Sequence, residues 1–181
     1  MKIYDPKKIL VPVDFSEHTM GVLQAAIEIA ERWDAQTTVF HVARETDFLL
    51  PAVPHGAAAP FDDPTTPFVH FPDRKKILDD ARLQLEARIE DLVEKANGGS
   101  KVEAKVVWDE TLRGILRAAE KDDYDLIIMA THGRSGLSRF LLGSITEQVI
   151  RRAPCPVLAV RAKMAGQRLA LLELIGQESM N

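Results

Sequence analysis

The chain has 181 residues, of which 46% are hydrophobic and 28% are charged, and its formal net charge at pH 7 is −4. These values are typical of one globular domain, and the acidic balance disfavours nucleic acid as a partner, because binding a phosphate backbone requires a basic surface. No apolar run approaches the roughly 20 residues that span a bilayer, which disfavours a membrane protein. The first residues lack the apolar segment of a signal peptide, and the single cysteine, Cys155, excludes an internal disulfide. We therefore expect a cytoplasmic protein.

The first part of the chain predicts a strand–helix–strand unit. The apolar run from Ile9 to Val13 predicts a short strand, and Asp14 follows at its end. Ser16 is expected to cap the next helix. The buried stripe of that helix recurs at helical spacing, at Val22, Ala25, Ala26, Ile29, Ala30 and Trp33. Residues 37–43, rich in β-branched and aromatic side chains, predict the second strand.

Residues 44–72 interrupt this pattern. They hold six of the ten prolines, at positions 51, 54, 60, 64, 67 and 72. Because proline breaks helices, we predict no helix here and expect a long surface loop. A loop of this length in a compact domain is usually either functional or disordered, and both interpretations stay open.

The second half alternates helices with strands. Residues 73–96 predict a long charged helix, and the alternating stretch from Lys101 to Val107 predicts a strand near the edge of a sheet. A short helix around residues 112–119 leads to the run from Leu126 to Ala130, which is apolar at every position, as in a strand buried on both faces.

After a loop with glycines, a last helix and strand are predicted. Ile145, Val149 and Ile150 are expected on one face of this helix. Two prolines end it, and Val157 to Val160 predicts the last strand. Five strands and four helices in this order predict an α/β fold, a doubly wound parallel sheet with helices on both faces. We assign residues 1–161 to this domain and residues 162–181 to a helical extension, which is expected to pack on its own domain, to pack on a partner or to fray in part.

Two motifs more than a hundred residues apart carry a family resemblance. KKILVPVDFSEHT, from Lys7 to Thr19, and the stretch from Asp125 to Arg161 resemble the signature regions of the universal stress protein (UspA-type) family. The nucleotide-binding branch of that family carries the pattern G-x2-G-x9-G-[S/T]. This sequence has Ala130, Gly133, Gly143 and Ser144 at the four marked positions, so three of them match.

The resemblance implies the strand order 3-2-1-4-5 and a Rossmann-like, adenine-nucleotide-binding site at the carboxyl edge of the sheet. The expected ligand is ATP, or ADP or AMP, with Mg²⁺ arriving only together with the nucleotide. The implied binding residues are Pro12, Val13, Asp14, Val42, Ala130, Gly133, Arg134, Gly143, Ser144, Ile145 and Thr146. Among them Asp14 is expected beside the ribose or the base, and Val42 beside the base through its backbone. The family also implies that residues 44–72 lie near the nucleotide, so that a lid is one interpretation of the loop.

Most of these residues also suit a plain structural role. Gly133 and Gly143 suit tight turns, and Asp14 and Arg134 suit solvated loops. Ser144 and Glu147 form the pattern of a capping box, which predicts Ser144 as the N-cap of its helix.

We expect a stress-response sensor or regulator that binds an adenine nucleotide. Two alternatives stay open: a protein-interaction module that binds no nucleotide, which Ala130 favours, and a slow ATPase. The sequence lacks the P-loop lysine motif, the G-x-G-x-x-G motif and the G-x-S-x-G elbow, and we predict no catalytic residue and no metal site of its own. The family further implies a homodimer through the edge strand from Pro156 to Arg161, and a signalling partner that the sequence does not identify.

Overall fold

The computed structural model describes residues 4–49, 73–99, 101–131 and 143–161. Its strands are β1 (Lys8–Pro12), β2 (Gln36–Ala43), β3 (Val102–Trp108), β4 (Leu126–Ala130) and β5 (Val157–Val160). Its helices are α1 (Thr19–Trp33), α2 (Thr46–Leu49), α3 (Arg74–Lys95), α4 (Thr111–Lys121) and α5 (Ser144–Arg152). The predicted elements are therefore present, with one additional helix, α2.

The strands form one parallel sheet in the order β3-β2-β1-β4-β5. This order confirms the prediction of a doubly wound sheet. The central strand β1 pairs with β2 on one side, Ile9 opposite Thr37, and with β4 on the other, Ile9 opposite Leu126. Because the order reverses beside β1, the carboxyl ends of β1 and β4 border the crevice in which such folds bind ligands.

The core has one layer on each face of the sheet. Ile9 and Val11 of β1 point into the layer covered by α1 and α3, which contains Ile89. Leu10 lies between them in sequence and points into the opposite layer, covered by α4 and α5. Alternate residues of β1 are thus buried on opposite faces, as expected for a central parallel strand.

Helix α2 corrects the prediction that residues 44–72 contain no helix. The first proline of the segment is Pro51, so the residues before it keep their N–H donors. Phe48 and Leu49 both donate a backbone hydrogen bond to the carbonyl of Glu45, at 3.1 and 3.0 Å. Residues 51–72 and the extension 162–181 lie outside the described residues, and the predictions for them stay predictions.

The start of α1 also differs from the prediction. The helix begins at Thr19 and its N-cap is His18, not Ser16. Ser16 instead belongs to a turn that precedes the helix: its N–H donates to the Asp14 carboxylate at 3.0 Å, and its carbonyl accepts from Thr19 N–H at 3.1 Å. Within this turn Phe15 adopts a left-handed backbone, with φ 58°.

β5 forms one edge of the sheet. Ile127 N–H donates to Pro156 C=O at 3.0 Å, and Thr131 N–H donates to Val160 C=O at 2.9 Å. Pro156, Leu158 and Val160 therefore direct their backbone groups at β4, while those of the intervening residues face outward. On the inner side, Pro156 has no N–H for the carbonyl of Asp125, and the hydroxyl of Tyr4 donates to that carbonyl instead.

Near the same end of the sheet, the side chain of Asp125 joins β4 to β1. Its carboxylate accepts from the backbone N–H groups of Lys7 and Lys8, each at 2.9 Å. Among the helices of the described ranges, none combines the length and the apolar composition needed to cross a membrane.

Candidate functional site

A cavity of about 560 Å³ opens at the carboxyl edge of the sheet. It lies between the ends of β1, β2 and β4 and the start of α5, and its volume falls in the range of small-molecule sites. The cavity wall includes Pro12, Val13, Asp14, Val42, Ala130, Gly143, Ser144, Ile145 and Thr146. The structure therefore brings together the implied binding residues of four separate segments. The other two, Gly133 and Arg134, lie outside the described residues.

The start of α5 directs backbone donors toward this cavity. Gly143 is the N-cap, with φ −58° and ψ 141°, and its carbonyl accepts from Glu147 N–H at 2.9 Å. That bond is the first of the helix, so the N–H groups of residues 144–146 have no partner within it. Unpaired N–H groups and the positive end of the helix dipole favour an anion at this position.

The predicted capping box at Ser144 is wrong. Ser144 is exposed and is the first residue of the helix, one position after the cap. The Glu147 side chain pairs with Arg151 at 3.0 Å rather than reaching back to the helix start. Gly143 takes the cap position because its own N–H is already bound to the carbonyl of Thr131, at 2.7 Å, which fixes the chain entering the helix.

Thr146 ties α5 to the end of β4. Its hydroxyl donates to the carbonyl of Ala130 at 2.7 Å, and its side chain is buried. Ile150, predicted on the buried face with Ile145 and Val149, is instead 45% exposed. The helix is thus rotated so that Thr146, rather than Ile150, is buried against the sheet.

Asp14 lines the cavity from the end of β1. Its carboxylate is half-buried and accepts from Ser16 N–H at 3.0 Å and from the Thr19 hydroxyl at 3.5 Å. These bonds orient the carboxylate within the turn before α1. The side chain is thereby held in the wall of the cavity.

A cluster of three side chains beside Asp14 was not predicted from the sequence. The Arg88 guanidinium lies 4.1 Å from the centroid of the Phe15 ring, and the His41 ring lies 4.5 Å from it. His41 Nδ1 is 2.8 Å from the carbonyl of Val13. Arg88 and His41 line the cavity and bring a cationic side chain to it. In the sequence Arg88 looks like one more solvated charge of α3, so no local pattern identified it.

Helix α2 and the residues just before it form another wall of the cavity, which was not predicted from the sequence. Arg44, Asp47 and Phe48 line the cavity, and the Arg44 guanidinium pairs with the Asp47 carboxylate at 3.0 Å. The Phe48 ring meets the Trp108 ring nearly at right angles, with the ring centroids 5.3 Å apart and an angle of 79° between the ring planes. An ion pair between Arg74 and Glu45 joins this wall to α3.

The charges around the cavity are mixed. Two carboxylates, of Asp14 and Asp47, and two guanidinium groups, of Arg44 and Arg88, line it. Asp109, which follows β3 at the same edge of the sheet, is held by Arg113 and by Arg117. The hydrogen bond from Arg113 keeps the pKa of the Asp109 carboxyl below its usual 3.8, so that this group is ionised at neutral pH. Within the described ranges, no group of three or more potential metal ligands comes together.

Comparison with known proteins gives one consistent family. The model of the universal stress protein family matches residues 6–161. A universal stress protein from Methanocaldococcus jannaschii is 29% identical over 86% of this chain and 82% of its own length. The structure of UspA from Lactobacillus plantarum superposes with a TM-score of 0.62 at 23% identity, covering 86% of this chain and 97% of that one. A universal stress protein from Archaeoglobus fulgidus, solved in complex with dAMP, gives a TM-score of 0.52 at 22% identity, covering 86% of this chain and 98% of that one.

Proposed function

Because the chain belongs to the universal stress protein family, we propose that it binds an adenine nucleotide and acts as a stress-response sensor or regulator. The observation that carries this proposal is the cavity at the carboxyl edge, where the start of α5 meets the ends of three strands. The dAMP complex of the similar Archaeoglobus fulgidus protein supports the same class of ligand. ATP, ADP and AMP are the candidates.

The phosphates are proposed to bind at the start of α5. Gly143 has no side chain to fill the space in front of the free N–H groups of residues 144–146. Each charge-assisted hydrogen bond contributes about 1.5–3 kcal/mol, and the helix dipole about 0.3–1 kcal/mol. Micromolar affinity requires about 8 kcal/mol, so that several such bonds must act together with burial of the base.

The sugar and the base are proposed to extend from α5 toward β1 and β2. Asp14 lies at the end of β1 and is assigned to the ribose or the base, and Val42 near the end of β2 is assigned to the base. In this arrangement Mg²⁺ arrives with the phosphates of the nucleotide, and no side chain is assigned to hold it alone.

A direct test is to denature the purified protein and analyse the released small molecules by liquid chromatography. We expect an adenine nucleotide, or binding of added ATP, ADP or AMP in calorimetry. A protein that releases no nucleotide and binds none of the three would contradict the proposal and favour a protein-interaction module.

The phosphate position is tested by Gly143→Val. The backbone angles at Gly143 are accessible to valine, so the variant adds a branched side chain without forcing a left-handed backbone. We expect loss of ATP binding in calorimetry with an unchanged circular dichroism spectrum. Loss of the glycine cap should lower the free energy of unfolding by about 1 kcal/mol. Ser144→Ala is the matched control, because it keeps the backbone N–H and removes only an exposed hydroxyl. Wild-type affinity in Gly143→Val would place the phosphates elsewhere.

A further inference from the structure

Phe48 is an exposed aromatic side chain in the wall of the cavity. It is 38% exposed, whereas Phe40 of β2, which lines the same cavity, is buried at 1%. A large apolar side chain that stays exposed to solvent inside a concave site is typical of a surface that a ligand covers.

The position of Phe48 is fixed from several sides. Its ring contacts that of Trp108 at 5.3 Å, and α2 is joined to α3 by the ion pair between Glu45 and Arg74. Its backbone N–H donates to the carbonyl of Glu45 at 3.1 Å. The ring is therefore held in place before any ligand arrives, which lowers the entropy cost of binding against it.

The cavity that Phe48 lines has further apolar side chains in its wall. They include Val42 of β2 and Ile115 of α4. A flat heteroaromatic ring suits such a lining, because it buries apolar area on both faces and stacks on an aromatic side chain.

We propose that Phe48 is a stacking residue for the base of the nucleotide. This inference rests on the proposed nucleotide function and adds the way in which the base is held. Because every base has an aromatic face, stacking on Phe48 supplies affinity for a ring without choosing among bases. The site thus takes ring-bearing nucleotides in preference to sugar phosphates of the same charge.

The test compares AMP with ribose 5-phosphate, which carries the same sugar and phosphate without the base. We expect Phe48→Ala to weaken AMP binding about tenfold in calorimetry, within the range of one base–aromatic stack. We expect Phe48→Tyr, which keeps the ring, to bind AMP like the wild type, and Phe48→Leu, which keeps only apolar bulk, to lose affinity. Leu83→Ala is the control for an exposed apolar residue away from the cavity, since Leu83 is 65% exposed.

The outcomes separate the two proposals. If the wild type binds AMP and Phe48→Ala or Phe48→Leu binds it equally well, stacking is overturned and the nucleotide function stands. If Phe48→Ala weakens AMP and ribose 5-phosphate by the same factor, the residue acts through the shape of the cavity and stacking is again overturned. If the wild type binds none of ATP, ADP and AMP, both proposals fail.

Discussion

Gly114 of α4 allows the helix to approach β2 closely beside the cavity. A Cβ added at Gly114 would lie 2.9 Å from both methyl carbons of Val42 and 3.3 Å from Cβ of Asp109. The two methyl groups fill two of the three staggered positions on Val42 Cβ, and rotation about χ1 cannot empty both near positions. Gly114→Ala must therefore move the helix or the strand.

The magnitude follows from two opposing effects. Replacing glycine by alanine in a helix stabilises by about 1 kcal/mol, whereas overpacking a buried position costs about 1–3 kcal/mol. We expect Gly114→Ala to lower the free energy of unfolding by up to about 2 kcal/mol. In a Val42→Ala background the methyl groups are absent, and the same substitution should stabilise by about 1 kcal/mol.

Urea unfolding of the four proteins in this double-mutant cycle measures the effect. Gly99→Ala is the control, because a Cβ at Gly99 meets no atom within 4 Å. A stabilisation of about 1 kcal/mol by Gly114→Ala in the wild-type background, equal to its effect beside Val42→Ala, would refute the close approach.

Two further predictions concern the edge strand and an ion pair. We expect the chain to form a homodimer through β5. Ala159→Pro removes an N–H on the outward side of β5 and should therefore produce a monomer in sedimentation. A monomeric wild type would contradict the pairing. The hydrogen bond from Lys105, at 2.7 Å, holds the pKa of Asp122 below its usual 3.8, so its stabilisation is present above that pH and is lost as the pH falls through the lower folded-state pKa. Lys105→Met should therefore flatten the acid side of the stability profile in urea unfolding, and an unchanged profile would show that the pair does not contribute.

The strands were predictable because their signal is local. The apolar runs from Leu126 to Ala130 and from Val157 to Val160 coincide with β4 and β5, since each is bounded by residues that end a strand. Helix starts were less predictable, because a cap depends on backbone angles that the preceding turn sets. Ser16 and Ser144 both have the side chain of a cap, but Ser16 lies within the turn before α1 and Ser144 is the first residue of α5, one position after the cap.

The walls of the site were not predictable for a different reason. Averaging composition over residues 44–72 concealed α2, whose residues precede the prolines. The contact of Arg88 with Phe15 joins residues far apart in the sequence, and no periodic pattern encodes it. The implied binding residues, by contrast, lie at strand ends and at a helix start, where the order of the strands alone brings them together.

The bonds made by Asp125 have a consequence for the order of folding. Its carboxylate accepts from Lys7 and Lys8, and its carbonyl accepts from Tyr4, across separations of 117 to 121 residues. During synthesis β1 therefore emerges long before Asp125, which accepts the hydrogen bonds at the start of that strand. The long chain segment between them is slow to close into a loop. Until β4 has emerged, the central strand β1 is unpaired on one side, and an unpaired strand edge can pair with another chain.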